Sequence, residues 1–107
     1  TANDLDIDHI IPLHYVNNHG GSNWSSDQKR SYGASLDAMN KGVYIAVSAS
    51  ENRRKGDQGP ASYYPPNPEY RCEYSRRWRD IARAYGIAMS QADFNVVRDT
   101  LNSCGIK

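Results

Sequence analysis

Leu5-Asp6-Ile7-Asp8-His9-Ile10-Ile11-Pro12 and, roughly forty residues later, Asn52-Arg53-Arg54-Lys55-Gly56 decide how the chain is read. Residues 5–11 are rich in β-branched side chains and predict a strand. Leu5, Ile7 and His9 fall on one face of it, Asp6, Asp8 and Ile10 on the other. Pro12 ends or edges that strand. In an ideal strand Asp8 points away from His9, so a turn or bulge at Pro12 is expected to bring the two to one site. In the second run, Ser50 can cap a helix over 51–55, which Gly56 stops.

These residue types suit one kind of chemistry. Cleaving a phosphodiester with water needs a base, a cation on the phosphate oxygens and stabilisation of the leaving alkoxide. His9 is the natural general base, because an imidazole titrates near neutral pH. The oxygens of Asp8 and Asn52 suit a hard divalent ion, which favours Mg²⁺, with Mn²⁺ next and Zn²⁺ less suited. Arg53, Arg54 and Lys55 supply cationic charge for phosphate. An isolated Asp-His pair is ordinarily a surface pair, and it is the helix carrying Asn52 and Lys55 that lifts this one.

The remaining composition sets limits. A chain of 107 residues is one small domain, residues 1–107, and at that size a covalent or metal staple is useful. Mean hydropathy is -0.80, yet eight Tyr and two Trp provide a core, so the chain reads as globular and soluble. No apolar run is long enough for a membrane span, and no signal peptide is visible; Thr1 suggests a processed chain. The net charge of +1 is not that of a strongly basic nucleic-acid binder. Its distribution says more. Asp4, Asp6 and Asp8 form an acidic edge. Arg53 to Lys55, then Arg71, Arg76, Arg77, Arg79 and Arg83, form basic clusters. Those clusters read either as a phosphate track or as a solvated helix face.

Residues 17–31 are polar and Gly-rich and read as a loop, with Trp24 anchoring it on the core. A short helix is expected within 27–40, and a second strand over Val43-Tyr44-Ile45-Ala46-Val47. Residues 59–68 hold Pro65, Pro66 and Pro68 and read as an extended arm. Two helices follow. Tyr70, Tyr74, Trp78, Ile81 and Tyr85 form the stripe of the first, and Gly86 stops it. Ser90 and Asp93 resemble a capping box for the second, whose inner face is Phe94, Val97, Leu101 and Cys104. A short connection makes the pair antiparallel. Cys72 then meets Cys104, and a bridge between them stabilises by roughly 3–4 kcal/mol in the chain-entropy model. One disulfide in a small chain implies an oxidising compartment. His14 and His19 read as polar loop residues before metal ligands, and the aromatic stripe as core before a base-stacking platform.

With these segments in order, the chain resembles the HNH (ββα-metal) nucleases. It is most similar to a bacterial, often secreted branch related to the C-terminal domain of some modification-dependent restriction enzymes. The matching segments are residues 6–13, Gly20-Gly21 with Trp24, residues 46–57, the Tyr-Pro-Pro of 64–66 and Tyr70-Arg71-Cys72-Glu73-Tyr74. The resemblance runs from residue 4 to about 85, and Cys104 also fits. It implies an α+β fold: a small ββα-metal core, a Pro-rich arm and a disulfide-stapled C-terminal helical hairpin. It implies Asp8 and Asn52 as metal ligands, His9 as general base, and Lys55 either on phosphate or holding the helix. The family usually has an Asn before or within the second strand, bracing the loop around the base. Here Asn40 is the candidate, from a shifted position. The family often carries a further upstream segment that is missing here.

The expected function is a metal-dependent endonuclease acting on DNA, or RNA, with little sequence specificity. It is expected to be a monomer, secreted or periplasmic in a bacterium, with no membrane partner. Three rivals stand beside this. One is a toxin domain of a larger secreted protein, neutralised by an immunity protein. Another is a catalytically silent nucleic-acid-binding module. The last is an extracellular protein-binding domain using the aromatic arm.

Overall fold

Alternation in the first stretch does produce a strand, but a shorter one. In the computed structural model, which describes residues 5–105, β1 is Leu5–His9 and pairs antiparallel with β2, Tyr44–Ser48. Asp4 of the acidic edge lies outside the described residues. The register is regular from Leu5 opposite Ser48 to His9 opposite Tyr44, and the Ile10 amide donates to the Val43 carbonyl at 2.7 Å. No bulge interrupts it, contrary to the expectation at Pro12. Ile10 and Ile11 leave the strand because both side chains are fully buried in the core. Pro12 instead precedes the first helix, α1 (Leu13–Asn18), as its N-cap.

The stretch expected to be a loop is largely helical. After a single 3₁₀ turn over Gly21–Asn23, Ser25 opens α2 (Ser26–Gly33) with a full capping box to Gln28. Ala34 and Ser35 are extended, and Ser35 caps a second short helix, α3 (Leu36–Asn40). The single helix expected over 27–40 is therefore two. Trp24 packs against Tyr32 and Tyr85, as its anchoring role requires.

β2 runs directly into α4 (Ala49–Lys55). The cap is Ser48, not Ser50: its side chain accepts from the Glu51 amide at 3.1 Å. Gly56, at φ +51°, ends the helix in the left-handed region that glycine tolerates. The Pro-rich segment contains no helix or strand as far as Asn67, but it is not simply extended. Ser62 and Tyr63 both donate to the Gly59 carbonyl in a tight turn.

Asn67 caps α5 (Pro68–Tyr85), and Ser90 caps α6 (Gln91–Ser103). Tyr74, Trp78 and Ile81 of the aromatic stripe are buried, and Tyr70 and Tyr85 pack at its margins. On α6 Val97 and Leu101 are buried, whereas Phe94 is 46% exposed and does not belong to the core. Cys72 and Cys104 are bridged, with Cα atoms 6.1 Å apart. The bridge joins the start of α5 to the end of α6, opposite the short turn at 86–90, so the pair forms an antiparallel hairpin. One core cluster joins α1, α2, α5 and α6 around Trp78, whose ring meets Tyr15 edge-on at 5.0 Å. A two-stranded sheet is marginal by itself; this one is stabilised by α4 and by the core beneath it.

Candidate active site

The two faces of β1 carry different groups. Asp6 and Asp8 share one face with Ile45 and Val47 of β2. Helix α4 lies on this face. Asn52 and Lys55, three residues apart, sit on one side of a helix and point at the two carboxylates in turn. Asn52 Nδ2 donates to Asp6 Oδ2 at 3.0 Å. Lys55 Nζ donates to Asp8 Oδ2 at 2.5 Å and to the His9 carbonyl at 2.5 Å. Lys55 is only 3% exposed. Burial pushes its pKa down, and the Asp8 carboxylate partly opposes that. Of the two roles expected of Lys55, these contacts are those of a residue that holds the helix to the strand. A surface contact to phosphate is not what its burial allows. Arg53 and Arg54 are exposed; Arg54 Nη1 reaches Glu51 Oε1 at 2.8 Å.

His9 lies on the opposite face. Its Nε2 is 3.0 Å from the Gly33 carbonyl. A carbonyl only accepts, so Nε2 is the donor, and in the neutral ring Nδ1 is the acceptor. The ring stacks on Tyr32 at 5.5 Å and meets Tyr44 edge-on at 5.0 Å. Both tyrosines are themselves tethered. Tyr32 donates to the Ile11 carbonyl at 2.5 Å, and the Tyr44 hydroxyl accepts from the Ser35 amide at 3.1 Å. Burial raises the Tyr32 pKa far above the ordinary range, so its hydroxyl stays a donor. The bracing expected of Asn40 comes here from a backbone carbonyl. Asn40 ends α3 as an exposed residue, and among the described residues the partner of the His9 ring nitrogen is Gly33.

Sequence reasoning missed Gly33 and the Tyr32–Tyr44 nest, which carry no motif. It placed Asp6 on the face of Asp8 by their i, i+2 spacing but gave it no role beyond charge. The structure does not bring the His9 ring to the face that carries Asp8 and Asn52. Among the described residues no group of three or more His, Cys, Asp or Glu is arranged to hold a metal ion. Asp8 and Asn52 offer hard oxygens, and Asp8 Oδ1 has no hydrogen-bond partner among the described residues. His14 lies 3.9 Å from Asp57 at the surface, and His19 stacks on Tyr15; neither joins the site. The α5 arginines are mostly engaged along their own helix: Arg76 with Glu73 and Asp80, Arg77 with Glu73, Arg79 with Asp80. That is the solvated-face reading of the cluster.

No family model matches the chain, and no solved structure matches it. One relative does. An uncharacterized secreted protein of Arthroderma benhamiae is 36% identical over 103 residues, which is 96% of this chain and 49% of the relative. The chain thus spans about half the length of the curated relative it matches. Among the described residues no helix is long and apolar enough to cross a membrane.

Beside Asp8 opens a cleft of about 360 Å³, between β2, α4 and the Pro-rich segment. A larger one, about 620 Å³, lies between α5 and α6 and is lined by neither His9 nor Asp6, Asp8, Asn52 or Lys55.

Proposed function

We propose that the chain is a metal-dependent endonuclease of the HNH (ββα-metal) type, with His9 as general base and Asp8 and Asn52 as metal ligands. The observation that carries this reading is the placement of His9 across β1 from Asp8 and Asn52. In-line displacement at phosphorus needs its nucleophile and its leaving oxygen on opposite sides. Among the described residues β1 pairs with β2 alone, and its His9 carbonyl is held by Lys55. A phosphodiester lying across β1 would meet Nδ1 of His9 on one side and the Asp8–Asn52 oxygens on the other. The Gly33 carbonyl and the two tyrosines hold the imidazole in the tautomer that accepts a proton at Nδ1.

Asp8 and Asn52 fit a hard divalent ion, Mg²⁺ or Mn²⁺, which takes few protein ligands and keeps water and phosphate in the rest of its shell. When bound, such an ion supplies positive charge to the phosphate and the leaving oxygen. Exposed Arg53 and Arg54 supply further charge on the same helix. The substrate is DNA or RNA, read through its backbone and with little sequence specificity. The disulfide and the relative's name support a life outside the cell, where such a bridge persists.

The test is plasmid cleavage. EDTA should abolish it and Mg²⁺ or Mn²⁺ should restore it. His9→Ala should lower the rate about 10²–10⁴-fold, the usual cost of losing a general base, with folding intact. Cleavage by His9→Ala at the native rate would overturn the assignment. An intact fold that binds nucleic acid but never cleaves it would favour the silent binding module.

A further inference from the structure

A cleft opens beside Asp8. We propose that it takes a single unpaired nucleobase next to the scissile phosphate, so that the favoured substrate is a single-stranded or locally unpaired segment. The inference rests on the nuclease reading above for the phosphate. At about 360 Å³ the cleft falls within the size range of small-ligand sites, about 300–1,000 Å³. It has room for one base but not for a base pair with its backbone. Its lining includes the flat rings of Tyr63, Tyr70 and Tyr74 and the apolar side chains of Pro65, Pro66 and Val47. Bases stack on such surfaces whatever their sequence.

Charge decides against an anionic occupant. The only cation lining the cleft is Lys55, and it is committed to Asp8. The two lining carboxylates are also engaged. Asp8 holds Lys55, and Glu51 accepts from the Tyr63 hydroxyl at 2.6 Å and from Arg54. A neutral, flat group with polar edges is the complement to such a wall. The hydroxyls of Tyr70 and Tyr74, both of which line the cleft, are buried with no hydrogen-bond partner among the described residues. A buried polar group of this kind is normally satisfied by protein or by a bound molecule. Asp8 is common to the cleft and to the proposed metal site, so a base in the cleft belongs to a nucleotide adjoining the phosphate.

Two measurements on the intact protein test this. The first is titration with deoxyadenosine and thymidine in EDTA, followed by NMR. Saturable shifts confined to Tyr63, Val47 and Tyr70 are expected, with affinity weakened about fivefold in Tyr70→Phe, the effect of one lost hydrogen bond. The second compares cleavage of one oligonucleotide as a single strand and as a duplex, with Mg²⁺. The single strand should be cut about tenfold faster or more, and Pro66→Ala, at an exposed wall position, should shrink that ratio. Absence of nucleoside shifts, or equal cleavage of strand and duplex by the native protein, would overturn the proposal. Nucleoside binding by a protein that cleaves neither substrate would uphold the cleft and overturn the nuclease reading instead.

Discussion

Asn52 turns its amide nitrogen to Asp6, 3.0 Å away, and so keeps its amide oxygen directed elsewhere. An ionised carboxylate only accepts, which leaves the amide one orientation. Asp6 is thus a positioning residue for the proposed ligand. Asp6→Ala should weaken Mn²⁺ binding about 10–100-fold by calorimetry, the usual effect of losing a partner behind a ligand, with little change in melting temperature. Native affinity in that variant would show that the amide is held by other means.

Lys55 and its two neighbours should separate cleanly in their effects. Lys55→Ala leaves the Asp8 carboxylate, 15% exposed, without its ammonium partner. Breaking a buried pair from one side costs about 3–5 kcal/mol, so chemical denaturation should show a loss near the lower end of that range. Arg53→Ala and Arg54→Ala remove exposed charge. Each should leave the denaturation midpoint unchanged while lowering the salt dependence of nucleic-acid binding by about one unit of log–log slope. Equal stability in Lys55→Ala would contradict the buried pair.

Reduction of the Cys72–Cys104 bridge should lower stability by about 3–4 kcal/mol, given a sequence separation of 32 between the half-cystines. The bridge ties α5 to α6 and contributes no side chain to the proposed site. Initial cleavage at low temperature should therefore survive reduction. Alkylation of both cysteines in the native, oxidised protein would refute the bridge.

Asp93 gathers three parts of the chain. It is 6% exposed and accepts from the Tyr15 hydroxyl at 2.6 Å, the Ala61 amide at 2.8 Å and the Ser90 hydroxyl at 2.8 Å. A Cβ at Gly59 would overlap its carboxylate, so the turn must approach as glycine. Burial first, and the Asp93 carboxylate second, push the Tyr15 pKa from 10.0 up to about 12. The folded state then holds this proton more tightly than the unfolded state. The contribution to stability is fully present below about pH 10 and is lost as pH rises towards 12. Urea midpoints should fall between pH 9 and 11.5, and less so in Tyr15→Phe. Asp93→Ala strands the buried Tyr15 hydroxyl and frees the part-buried Ala61 amide, and should cost about 1–3 kcal/mol at neutral pH. A pH-independent midpoint in the native protein would remove Tyr15 from this account.

Legibility differed from element to element for physical reasons. The alternation that predicted a strand over 5–11, the stripe of α5, its stop at Gly86 and the Ser90 cap of α6 are local patterns; all read correctly except that the strand ends at His9. Helix α2 did not, because its only buried side chain is Tyr32 and the rest of it faces solvent. Its capping box was the available signal. Phe94 fitted the apolar spacing of α6 but lies at the edge of that face. Asp93 reads as a cap residue in sequence; only the approach of Tyr15 and Ala61 makes it a buried hub.

The sequence by itself determined that Asp8 and His9 would lie on opposite faces of a strand, that α4 would follow the second strand, and that Cys72 could meet Cys104. Each follows from the two- and 3.6-residue periods or from helix ends, which depend on near neighbours alone. Only the tertiary structure decided which group each carboxylate meets, because Asp6 and Asn52 are 46 residues apart and Asp8 and Lys55 are 47. It alone turned Lys55 from a surface cation into a buried strut, by laying α4 against β1. It alone gave His9 its partner, since a backbone carbonyl at Gly33 is chemically the same at every position and becomes specific only where the fold places it.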